Sequence, residues 1–310
     1  MPFDAFLAAK LHLLEGLDPT CLDVETAKRW DEFQRDPAPW TFPENVAMDD
    51  IVALGTHGPI SCRRYTPRRA TGSVLVWAHG GGFSAGDLDM PEAHVVSAEL
   101  AARSRATVVS VGYRLADGQI RYPWPIDDVA AVWDAVARGE LANQDQPRKV
   151  CLGGASAGGA LALAVALRLR DGGHTQPAAL LLAYPFAHFP NPALDFEVSA
   201  MMAPLPPALR FTPASVEAMV RTYVGRISDV PPDALPGAAP LRGLPPAHVL
   251  ISEYDDLRSS AELLARQLAE AGVTVQCTLA AGMPHGHLNR TPALAEVARS
   301  LDIFAAALQE

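Results

Sequence analysis

The chain has 310 residues, 49% of them hydrophobic, and a formal net charge of −10. That much apolar material can bury a sizeable core, which excludes global disorder. The acidity, with no basic stripe, argues against nucleic acid and anionic membrane surfaces as partners.

The N-terminal stretch MPFDAFLAAKLHLLEG has an acid at Asp4 and no basic region ahead of its apolar residues, so it reads poorly as a signal peptide. No apolar run approaches the roughly 20 residues that span a bilayer. The four cysteines (Cys21, Cys62, Cys151, Cys277) lie far apart, without metal-ligand spacing. Together these features predict a reduced, cytoplasmic protein.

In chain order, residues 4–15 and 23–35 carry apolar positions at helical spacing (Phe6, Leu7, Leu11, Leu14), predicting two helices ahead of the main body. From Ala47 to Tyr65 two short β-like segments follow, broken by Gly55-Thr56-His57-Gly58. Apolar strands then alternate with amphipathic helices. The strands are 74–78, 107–111, 149–153, 178–183, 248–252 and 274–279; the helices are 91–104, 126–138, 157–171, 258–271 and 292–309. Short, continuously apolar strands are those covered on both faces, so the pattern predicts an α/β fold with a mainly parallel sheet. Between about His188 and Pro246 the alternation lapses, with one helix at 213–224. So long an interruption reads as an inserted cap rather than a loop.

The pentapeptide Gly154-Ala155-Ser156-Ala157-Gly158 is Gly-x-Ser-x-Gly, a weak signal alone. Its position between a buried strand and an Ala/Leu-rich helix is what a nucleophile elbow needs: a sharp turn exposing Ser156, and small neighbours that let helix and strand approach. A flexible linker would not be flanked in this way. A second glycine run, His79-Gly80-Gly81-Gly82-Phe83, follows the strand VLVWA and leaves backbone N–H groups uncovered for a reacting oxygen. A phosphate loop is excluded there, because no Gly-Lys-Ser/Thr follows.

These two motifs, in order with VGYRLA (111–116), YPWPIDD (122–128), LLAYP (181–185), GLPPAHVLISEYDDLR (243–258) and AGMPHGH (281–287), resemble the hormone-sensitive-lipase-like esterases, a branch of the α/β-hydrolases. The resemblance covers about residues 45–305. It implies an α/β-hydrolase fold: a mostly parallel eight-stranded sheet flanked by helices, with a helical cap. The implied organisation is cap residues 1–45, core residues 46–187, a cap insertion at 188–232 and core residues 233–310. The implied activity is hydrolysis of short- to medium-chain carboxylic esters, with no cofactor and no metal. A small-molecule ester is the expected partner, and the resemblance leaves a homodimer open.

Site residues carry over as follows. Ser156 is the nucleophile; Gly81, Gly82 and Ala157 form the oxyanion hole; His79 and Gly80 shape the loop. A serine nucleophile needs a base, and the base needs a carboxylate, in the chain order Ser, acid, His. The strand 248–252 runs into Glu253-Tyr254-Asp255-Asp256, and the family pattern selects Asp255. Asp256 stands where relatives have Pro, and is a rival. The strand 274–279 leads to Met283-Pro284-His285-Gly286-His287, where the pattern selects His285; His287 stands where relatives have Phe. The pairs 255/256 and 285/287 could also be read as a metal set, although the same segment already fits a triad.

Further departures are Ala155 and Gly112 where relatives carry Asp, Asp117-Gly118 in place of Pro-Glu, and Ser259-Ser260 in place of Asp-Glu. The first two suggest a hydrogen-bond network replaced by smaller residues. Amide, lactone or carbamate hydrolysis would use the same triad. A receptor role on this fold is disfavoured, because receptors that resemble the family lack the histidine present here as His285.

Overall fold

A computed structural model describes residues 2–17, 23–142 and 147–310; Cys21 lies outside them. Eight strands form one sheet: β1 (Val46–Gly55), β2 (Gly58–Pro67), β3 (Ser73–Ala78), β4 (Thr107–Gly112), β5 (Lys149–Ala155), β6 (Leu180–Ala183), β7 (Ala247–Tyr254) and β8 (Val275–Pro284). Their spatial order is β1-β2-β4-β3-β5-β6-β7-β8. Only β2 runs against its neighbours β1 and β4; every pairing from β4 to β8 is parallel. This is the expected α/β-hydrolase sheet.

Nine helices accompany it among the described residues: α1 (Ala5–Ala8), α2 (Val24–Gln34), α3 (Pro91–Ser104), α4 (Trp124–Ala137), α5 (Ala157–Asp171), α6 (Phe196–Met202), α7 (Pro213–Val224), α8 (Arg258–Glu270) and α9 (Ala295–Gln309). Alternate residues of each central strand feed opposite cores. Val74, Val76 and Ala78 pack with α4 and α5 on one face, while Leu75 and Trp77 pack with α3 and α9 on the other.

The first two strands are longer than the sequence predicts. Their two-residue turn is accommodated by Gly58 at φ +111°. Register places Asp49 opposite Arg64 and Asp50 opposite Arg63, and both pairs close as ion pairs of 2.6 and 2.7 Å. Charged cross-strand partners thus replace the apolar alternation that would have marked these strands.

The helix expected over residues 4–15 is instead the four-residue α1 and a separate 3₁₀ turn at Leu11–Leu14. The break lets Leu7 enter the core beneath α9 while Leu14 joins Leu17 and Phe33 in a separate cluster. Helix α6 was not anticipated. Its first residue, Phe196, is 86% exposed, so the apolar stripe that identifies a helix is blurred. Asp195 caps it, accepting from the Val198 N–H at 2.8 Å.

Segment 188–232 lies over the carboxyl-terminal edge of the sheet. The Phe83 and Tyr223 rings stack at 3.9 Å, and Asn191 donates to the Asp256 carbonyl. The N-terminal helices meet the same segment, with Leu14, Leu17 and Phe33 packed against Ala208 and Leu209.

Candidate active site

Ser156 follows β5 directly and precedes the first residue of α5. Its backbone is held at φ 51°, ψ −115°, a conformation unfavourable for a residue with a Cβ. The small neighbours are a steric requirement. A Cβ on Gly154 would come within 2.6 Å of the Ala78 carbonyl oxygen, and one on Gly158 would overlap the carbonyls of Ala78 and His79. Backbone bonds pin the turn from the neighbouring strand, with Ser156 N–H donating to Ala183 and Phe186 N–H to Ser156.

Asp255 follows β7 and His285 follows β8, so the two neighbouring strands deliver both side chains to the same edge. His285 Nε2 lies 2.9 Å from Ser156 Oγ, and His285 Nδ1 lies 2.6 Å from Asp255 Oδ2. The carboxylate can only accept, so Nδ1 carries the proton and Nε2 faces the hydroxyl as an acceptor. Asp255 Oδ1 accepts from the Leu257 N–H at 2.7 Å, which fixes the carboxylate. Burial pulls the His285 pKa down, but the charge and hydrogen bond of Asp255, with further negative charge from Glu92 and Asp256, outweigh it and raise the pKa above the usual value. The ring is flanked edge-on by Tyr184 and Phe211, at 5.0 and 4.8 Å.

The glycine loop is shaped by where its carbonyls point. Gly80 C=O accepts from His79 Nδ1 at 2.7 Å and from the Tyr113 hydroxyl at 3.1 Å. Gly81 C=O accepts from Ser84 and Ala85 N–H. In a trans peptide the N–H points opposite the C=O, so tying these two carbonyls turns the Gly81 and Gly82 N–H groups away, toward the open side of the loop. Among the described residues neither N–H donates to a backbone acceptor. Gly81 and Gly82 sit at φ +103° and +60°, and a Cβ on Gly81 would overlap the Ala85 carbonyl. Ala157, at the first position of α5, contributes one of the N–H groups a helix leaves without an internal partner. The His79 ring stacks on Tyr113 at 4.5 Å and is deprotonated more easily because it is buried.

The two rivals lie elsewhere. Asp256 turns to segment 188–232, where its carboxylate accepts from Arg210 Nε (2.8 Å), Arg210 Nη2 (2.9 Å) and the Phe211 N–H (2.7 Å). This clamp brings Phe211 against His285. His287 is buried between Ser252 Oγ (2.9 Å) and Ser300 Oγ (3.1 Å). Burial, reinforced by charge from His285 and Arg299, lowers its pKa to about 3. The two departures at 112 and 155 lie in different surroundings: a Cβ on Gly112 would meet Ser61 and Leu88, whereas Ala155 is buried in the core on the side of the sheet that holds Trp77 and Tyr184.

Two residues at the site escaped the sequence reading. Asn289 follows the histidine motif with nothing to distinguish it. Glu92 looks like an ordinary acid in the first turn of a helix, yet it is buried and accepts from the Gly80 N–H at 2.6 Å. Next to the site is a cavity of about 500 Å³, lined by Phe189, Leu194, Phe211 and Val216 with Arg210 and Asp256.

A family model described as alpha/beta hydrolase fold matches residues 75–289, more than half of the chain. The chain belongs to this family. Among its relatives, the esterase LipI of Mycobacterium tuberculosis is 34% identical over 253 residues, 77% of this chain and 74% of that protein. The carboxylesterase NlhH of the same species is 34% identical over 262 residues, 81% of this chain and 78% of its own. The solved structure of a hyperthermophilic esterase from the archaeon Pyrobaculum calidifontis superposes with a TM-score of 0.80 at 30% identity, covering 100% of this chain and 98% of that one. The α/β-hydrolase relatives named here are thus ester hydrolases, as the resemblance in the motifs implied. Among the described residues no helix is long and apolar enough to cross a membrane.

Proposed function

We propose that the chain is a serine carboxylesterase acting on small carboxylic esters of short to medium chain length. The observation that carries this reading is the hydrogen-bonded series Ser156 Oγ, His285, Asp255, at 2.9 and 2.6 Å on the carboxyl-terminal edge of the sheet. His285 Nε2 takes the Ser156 proton as Oγ attacks the ester carbonyl. The resulting oxyanion is held by the N–H groups of Gly81, Gly82 and Ala157, each worth about 3 kcal/mol in a site closed to water. His285 returns the proton to the departing alcohol. Water, deprotonated by the same imidazole, then releases the acid from the acyl-enzyme. Asp255 keeps the imidazole in the required tautomer and stabilises the imidazolium.

Residues 1–45 and 188–232 together act as the cap. The cavity beside Phe211 receives one arm of the ester against its apolar residues Phe189, Leu194 and Val216, and its size limits chain length. A panel of nitrophenyl esters of increasing acyl length, run on the wild type and Ser156→Ala, tests this. The expected result is a fall on the order of 10⁴-fold or more in kcat for the variant, with an organophosphate adduct located on Ser156 of the wild type by mass spectrometry. Wild-type rates in Ser156→Ala would sink the mechanism.

A further inference from the structure

Besides Asp255 and the clamped Asp256, Glu92 is a buried acid at the site. The Glu92 carboxylate collects three donors: the Gly80 N–H on Oε2 at 2.6 Å, and on Oε1 the Tyr184 hydroxyl at 2.5 Å and Asn289 Nδ2 at 3.2 Å. Two more bonds lock its backbone, with the Glu92 N–H donating to Asn289 Oδ1 and Trp77 Nε1 donating to the Glu92 carbonyl.

These partners belong to different parts of the site. Gly80 begins the loop whose next two N–H groups face the reacting oxygen. Its carbonyl is held by His79 and Tyr113, and Glu92 holds its N–H, so the residue is tied at both ends. Tyr184 lies edge-on against His285. Asn289 also donates to the carbonyl of Gly286, the residue after His285. A single carboxylate therefore connects the loop that carries the oxyanion donors with the loop that carries the base.

We propose that Glu92 is a positioning residue for the reaction, setting the oxyanion loop and His285 in a common register through Gly80, Tyr184 and Asn289. This rests on the triad reading of the same site.

The chemistry of the donor set favours a carboxylate over any isostere. The Tyr184 hydroxyl accepts from the Leu288 N–H at 3.3 Å, which leaves its own proton for Glu92. The two Glu92 oxygens thus face donors only. A glutamine would present an NH₂ to one of them and leave a buried donor pair unmatched. Burial pushes the Glu92 carboxyl up, while the bonds from Tyr184, Gly80 and Asn289 favour its charged form. Its negative charge also raises the His285 pKa, a field that assists imidazolium formation without contact.

A Cβ on Gly80 would meet Glu92 Oε2, the Ala155 carbonyl and Ser156 Cβ, so the carboxylate and the nucleophile turn approach Gly80 from two sides.

The test compares Glu92→Gln, Tyr184→Phe and Ser156→Ala on nitrophenyl acetate, with a trifluoromethyl ketone as the probe of the oxyanion loop. For Glu92→Gln, kcat should fall on the order of 10-fold with KM within about twofold, and ketone affinity should weaken by the same factor. A folded Glu92→Gln with kcat and ketone affinity unchanged would overturn the proposal, as would a kcat loss with no loss of ketone affinity. If Glu92→Gln does not fold, Tyr184→Phe decides: it removes one donor only, and should lower kcat about threefold at constant KM, whereas unchanged kcat overturns the idea. The two readings separate cleanly. An inactive Ser156→Ala beside a fully active Glu92→Gln rejects the role of Glu92 alone, while an active Ser156→Ala rejects the triad beneath it.

Discussion

The carboxyl-terminal edge of the sheet and the segment 188–232 above it are held by different forces. At the edge, backbone meets backbone: Gly154 and Gly158 let α5 press on β3, and strand ends aim Ser156, Asp255 and His285 at one another. Almost nothing there has room to give. Segment 188–232 is held chiefly by side chains: the Asp256–Arg210 clamp, the Phe83–Tyr223 stack, and Val216 and Val220 buried in the core. Chemistry needs fixed geometry, and the strand ends supply it. A covering element that must admit substrate is better held by contacts that can be changed one at a time.

Adjacent acids give the widest separation between the two regions. Asp255→Asn should lower kcat on the order of 10⁴-fold, the size of effect seen when a triad carboxylate is neutralised. Asp256→Asn should leave kcat within about tenfold while altering chain-length preference, since it loosens Phe211 rather than the imidazole. Equal losses in the two variants would erase the distinction between frame and cover. Next in size is Gly158→Ala. Its methyl overlaps two carbonyls of the β3 end, so unfolding in denaturant should show a loss of about 3 kcal/mol or outright failure to fold; a stability within error of wild type would mean that the edge is softer than its packing implies.

The smallest effect is in pH. With the neutral imidazole as the proposed base, kcat/KM should rise with pH through the His285 titration. Burial lowers this pKa and neighbouring carboxylates raise it by more, which puts the midpoint above the ordinary histidine value of 6.5. A midpoint below 6.5 would show that desolvation prevails over Asp255.

Sequence made the edge legible and the cover much less so, for a physical reason. A nucleophile turn needs glycines at fixed offsets, and buried parallel strands need continuous apolar runs, so β3 to β8 and Ser156 announce themselves locally. The choice of His285 over His287 required the family pattern, because spacing alone cannot tell a base from a buried histidine held by two serines. Helix α6 hid behind an exposed Phe196, and the full length of strands β1 and β2 behind their paired charges. Glu92 was illegible altogether. Its importance comes from Gly80, Tyr184 and Asn289, the last 197 residues away in the chain, and a first-turn acid gives no hint of such company.

Asp255 and Asp256 take different partners from consecutive positions: one bonds the imidazole, the other Arg210 and Phe211 of segment 188–232. That arrangement sets a strict rule on chain length between Tyr254 and Leu257. A single inserted or deleted residue would move at least one of the two carboxylates off its partner, His285 or Arg210. Substitutions at these sites grade the enzyme's output, but a one-residue slip would abolish the base's partner, the cover's anchor or both. This short loop should therefore keep its length, and its acid at 255, across functional descendants of the chain.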